Sequence, residues 1–281
     1  MEINYIKNPF YSGTNDKELP IVVLLVGNNE PNLKIISKQW FERGFNCLIN
    51  SPMDVLVGNN EERAIEIVKF IDDYFRGDDG FQRILCFQSI SNGTVLFGHF
   101  LKYIQDNEEY LYLMRIIRAT IIDNSSTENE NDFLYNNFLS YQLFLSNKST
   151  SINTNTTTTN YQYLISPLNT WNHVIIHSKN DYSVKSHSIN SFIKSIKLNL
   201  PNLKYIYSNK NNDENFDIDD NEISIINAQS KYSYNTYLIE KVFDTGSNSF
   251  NFKQSLNEYQ KVVNQLIDIV YMNQKKILCK L

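Results

Sequence analysis

The sequence predicts an α/β fold, a doubly wound and mostly parallel sheet with helices on both faces. Three observations predict it. Strand-like and helix-like runs alternate from one end of the chain to the other. The first of the long strand-like runs, Ile21 to Val26, is continuously apolar, the pattern of a strand covered on both faces. The polar, Asn-rich stretches fall between these runs, at loop positions that a repeated βα unit tolerates without loss of its core.

Ile21 to Val26, Ile-Val-Val-Leu-Leu-Val, is the first buried strand. A helix follows it. Pro31 suits a first helical turn, Leu33, Ile36, Trp40 and Phe41 recur at helical spacing, and Gly44 closes the element. Phe45 to Ile49 is the next strand. Beyond Pro52 a short apolar piece, Met53 to Val57, leads to a helix across Glu61 to Phe75 with Ala64, Ile65, Ile67, Val68 and Ile71 along one face. An apolar strand from Arg83 and an apolar helix reaching Ile104 come next, then a strand over Arg115 to Ile122 that ends at Asp123 and Asn124.

From Asn124 to Asn160 the composition turns polar. The segment holds an aromatic-rich helix candidate, Phe133 to Leu145, and a tract, Ser149 to Asn160, made almost wholly of Ser, Thr and Asn and expected to be a disordered excursion. Regular structure resumes with the strand Trp171 to His177, a helix near Val184 to Ile196 and a strand at Leu203 to Tyr207. A second polar insert spans residues 209–221. The strand Tyr237 to Phe243 and a helix from about Lys253 to Tyr271 close the pattern. The expected organisation is an N-terminal extension (1–18), one domain (19–273) with both inserts, and a short tail (274–281).

With 281 residues, 42% of them hydrophobic, the chain can bury one large core. Its net charge of −5 and the lack of a basic cluster interleaved with aromatics exclude nucleic acid as a partner. Cys47, Cys86 and Cys279 are odd in number and the first two lie inside apolar strands, which fits free thiols in a reducing compartment. The first residues lack the basic and apolar regions of a secretory signal, so an intracellular, cytoplasmic protein is expected. No run reaches the ~20 apolar residues of a membrane span. The longest candidate, Ile84 to Ile104, is interrupted by Gln88, Ser89, Ser91, Asn92 and Gly93. The ending Cys279-Lys280-Leu281 is a relative of a peroxisomal address, or simply a basic tail.

The chemistry-bearing motif is Gln88-Ser89-Ile90-Ser91-Asn92-Gly93, between an apolar strand and an apolar helix. Strand, serine turn, helix is how an α/β-hydrolase presents its nucleophile, and the small flanking residues Ser89 and Gly93 allow strand and helix to pack closely. Ser91 is the nucleophile position; by residue type it equally suits a helix N-cap. Asp181, in the loop after the Trp171 strand, is the acid position, or a turn and cap residue. Gly27 and Asn28 after the first buried strand, with Asn92, are the oxyanion-hole candidates; Gly27 also suits a plain tight turn.

The base is missing. A hydrolase of this order carries a His between its last strand and last helix, because a serine hydroxyl is a weak nucleophile until a neighbour takes its proton. Residues 244–252, Asp-Thr-Gly-Ser-Asn-Ser-Phe-Asn-Phe, contain none, and no His follows His187. His99 lies eight residues beyond Ser91 on the following helix, about 12 Å away along its axis. His173 and His177, about 13 Å apart at strand rise, cannot pair as metal ligands, and no metal or cofactor is expected. His177 is the one substitute base.

In order, Val22-Val23-Leu24-Leu25-Val26-Gly27, Arg43-Gly44-Phe45-Asn46, Ser91-Asn92-Gly93, Ile121-Ile122-Asp123, Ser178-Lys179-Asn180-Asp181 and Asn257-Glu258-Tyr259 resemble the transmembrane protein 53-like family, the eukaryotic domain of unknown function 829, over about Leu19 to Val270. The resemblance implies an α/β-hydrolase fold, with Ser91 and Asp181 as nucleophile and acid. It also implies a peripheral association with the nuclear envelope. The family's two His before the last helix fall here on Asn248 and Asn251, and the Trp after its first Gly falls on Asn28. The expectation is therefore an α/β-hydrolase-like domain that has lost its catalytic base and acts by binding a small apolar ligand or a protein partner. The alternatives are a slow serine esterase or lipase using Ser91 with Asp181, and a nuclear-envelope scaffold or signalling component.

Overall fold

In a computed structural model the chain is organised around an eight-stranded sheet. The structure describes residues 3–11, 19–26, 32–50, 60–76, 83–90, 93–123, 171–178, 203–209, 236–243 and 255–278, with helical positions at 189, 190, 193, 194 and 197. The strands are β1 (Ile3–Ile6), β2 (Ile21–Val26), β3 (Asn46–Asn50), β4 (Leu85–Ile90), β5 (Ile117–Asp123), β6 (Asn172–Ser178), β7 (Leu203–Asn209) and β8 (Thr236–Phe243). The helices are α1 (Leu33–Glu42), α2 (Asn60–Phe75), α3 (Gly93–Asp106), the single turn α4 (Leu113–Ile116) and α5 (Leu256–Leu278). The sheet order is β1-β3-β2-β4-β5-β6-β8-β7, and every pairing is parallel except β1 with β3.

The continuous apolar runs do what their composition requires. All residues of β2, β4, β6 and β8 are buried. On one face α2 and α3 bring Ile67, Val68, Ile71, Phe97 and Phe100 against Val23, Leu25, Leu85 and Phe87. On the other, α1 and α5 bring Trp40, Phe41, Val263, Leu266 and Ile267 against Val22, Leu24, Cys86, Ile176 and Ile239. Each such side chain withdrawn from water contributes roughly 1.5–3 kcal/mol, so the two layers are the main source of stability. The helix C-terminus read from Gly44 forms as expected: Gly44 has φ +86°, its N–H donates to Phe41 O (3.0 Å), and Phe45 N–H donates to Trp40 O (3.1 Å). That pair of bonds satisfies two orphan carbonyls of α1. Cys47 and Cys86 are buried free thiols.

Two stretches differ from the sequence reading. Within the expected N-terminal extension, Ile3–Ile6 is an antiparallel edge strand whose Tyr5 ring packs on Phe70 and Tyr74 of α2. Asn8 is buried behind it, donating from its side chain to Phe41 O and Phe45 O. Four residues flanked by Glu2, Lys7 and Asn8 hold too little periodicity to announce this. The last helix, expected to stop at Tyr271, continues to Leu278 through the expected tail. Gln and Lys are strong helix formers there, Gln274 is buried, and Lys275 and Lys276 suit a helix C-terminus. The candidate helix Phe133 to Leu145, the tract Ser149 to Asn160 and the insert at 210–221 lie outside the described residues.

Candidate functional site

Parallel register brings the carboxyl ends of the central strands to one level. Val26 pairs with Ile90, Ile90 with Asp123, Asp123 with Ile176, and Ile176 with Lys241. Open α/β sheets bind ligands at this edge. The residues singled out by sequence all follow these strand ends: Gly27 and Asn28 after β2, Ser91 and Asn92 after β4, Asp181 after β6 and Asn248 after β8. They themselves lie outside the described residues.

Two residues separate the end of β4 from the start of α3, and α3 packs back on its own strand, with Phe87 centroids 4.9 Å from Phe97 and 4.6 Å from Phe100. The helix enters so close to the sheet that a Cβ on Gly93 would lie 2.0 Å from Leu25 O and 2.5 Å from Leu25 C. Only glycine permits that approach. Below the turn, Gln88 is fully buried: Trp40 Nε1 donates to its Oε1 (2.6 Å) and its Nε2 donates to Tyr259 OH (2.7 Å). Ser89 Oγ donates to Ile121 O on β5 (3.2 Å). The strand that leads into residue 91 is thus fastened to α1, α5 and β5.

The imidazoles are distributed as follows. His99 is half-buried on α3, and burial lowers its pKa. His173 is buried near the amino end of β6, the far edge from Ile90, with Nδ1 2.8 Å from Thr120 Oγ1; burial pushes its pKa down to about 3. His187 lies outside the described residues. His177, near the carboxyl end of β6, has Nε2 2.9 Å from Glu240 Oε1 on β8. Strand β6 stands two places from β4, roughly 10 Å at sheet spacing, and β8 lies on its far side.

Glu240 is 5% exposed and accepts a second hydrogen bond, from Tyr205 OH on β7. Burial alone would raise its carboxyl, but the bonds from His177 and Tyr205 outweigh burial and hold it below the usual carboxylate range. Burial and the Glu240 carboxylate raise the Tyr205 phenol. Lys197 Nζ stands 3.0 Å from the Tyr205 ring centroid. On the opposite face, buried Lys241 places Nζ 2.8 Å from Glu258 Oε2 in the first turn of α5 and donates to Ser208 Oγ (3.3 Å). Sequence reasoning missed Glu240, Tyr205 and Lys241. The available signal was the adjacent pair Glu240-Lys241 inside the apolar run Tyr237 to Phe243, since charges in a two-sided buried strand require partners.

The chain has an α/β-hydrolase fold. It is similar to the Pyrococcus furiosus esterase Pf2001, with a TM-score of 0.50 and 10% identity, covering 94% of this chain and 83% of that one. It is also similar to the α/β hydrolase GrgF from Penicillium sp. sh18 (TM-score 0.46, 9% identity, 91% and 90% covered). A third likeness is to Thermogutta terrifontis esterase 2 (TM-score 0.46, 8% identity, 91% and 86% covered). No family model matches the chain, and no curated protein matches it in sequence. Among the described residues, no helix is long and apolar enough to cross a membrane.

Proposed function

We propose that this protein keeps the frame of a serine hydrolase but works at the carboxyl edge of its sheet by binding rather than turnover. One observation carries the reading: the one described imidazole at that edge, His177, is bonded to Glu240 on the side away from β4, while residues 244–252 hold no His. Ser91 is then a nucleophile position without a base, Asp181 an acid position without an imidazole to orient, and Asn248 a residue that donates hydrogen bonds but accepts no proton near neutral pH. The occupant is a small apolar ligand or a protein partner. The resemblance to the transmembrane protein 53-like family supports a partner at the nuclear envelope.

The test is fluorophosphonate labelling of the purified protein. Ser91 is expected to stay unlabelled on the time scale at which active esterases react; labelling at a comparable rate overturns the reading. A second reading, a slow carboxylic-ester hydrolase, is favoured by the carboxylate that orients His177, the arrangement a catalytic imidazole needs. Ester turnover abolished by Ser91→Ala would establish it.

A further inference from the structure

We draw no further inference here: the strongest candidate, the outer edge of the sheet at β7, where the exposed Tyr205 and Tyr207 lie on one face of the strand, carries nothing because no feature among the described residues shows what covers it.

Discussion

Replacing Gly93 by Ala tests whether α3 meets the sheet as closely as an elbow requires. An added Cβ would stand 2.0 Å from Leu25 O, 2.5 Å from Leu25 C and 3.1 Å from Val26 N, where ordinary contact begins at 3.4 Å. All three atoms are backbone of β2. That strand pairs with β3 on one side and β4 on the other and is buried along its length, so it cannot retreat. The start of α3 must withdraw by more than ~1 Å, pulling Phe97 and Phe100 off Phe87. Overpacking against a rigid neighbour costs roughly 1–3 kcal/mol and occasionally more. Ala returns at most about 1 kcal/mol through its better helix propensity. A clash with rigid backbone at 2.0 Å belongs at the upper end of that range, so the net expectation is a loss of about 2 kcal/mol, seen as a fall of roughly 4–8 °C in Tm and a lower urea midpoint at unchanged m-value. The sign decides the matter. An ordinary helical glycine becomes more stable as alanine, so a Gly93→Ala protein that melts at or above the parent temperature would refute the close approach and the elbow with it.

Other perturbations read other parts of the molecule. Gln88→Leu removes the acceptor of the buried Trp40 indole N–H and the donor to the Tyr259 hydroxyl, and urea unfolding is expected to show a loss of about 1–3 kcal/mol; no measurable loss would mean the network contributes no more than its shape. Burial holds His173 neutral in the fold down to about pH 3, while in the unfolded chain it titrates near 6.5. Between those values the unfolded state binds the extra proton, so stability falls as pH drops, by about 1.4 kcal/mol per unit from this group. His173→Gln is expected to flatten the stability profile between about pH 6 and 4; an unchanged slope would place the acid sensitivity elsewhere.

The layered architecture was legible in the sequence because Ile21–Val26 is apolar at every position and the runs Ile84–Phe87 and Val174–Ile176 are unbroken apolar cores of later strands. Short, β-branched runs of this kind suit strands covered from both sides. Gly44 and Gly93 were legible for a local reason as well: each stands where backbone, not side chain, sets the geometry. The absence of His from residues 244–252 is a property of the sequence alone and needs no coordinates.

Tertiary structure decided what periodicity does not encode, namely which elements meet. Chain order does not say that β8 inserts between β6 and β7, yet that insertion alone sets Glu240 beside both His177, 63 positions away, and Tyr205, 35 positions away. His177, read from sequence as a substitute base, has in the fold a buried carboxylate of β8, Glu240, within hydrogen-bond distance of its Nε2. Side-chain spacing is a short-range signal carried by each segment, whereas the choice of neighbouring strand depends on the summed packing of both sheet faces. That sum exists only in the folded chain.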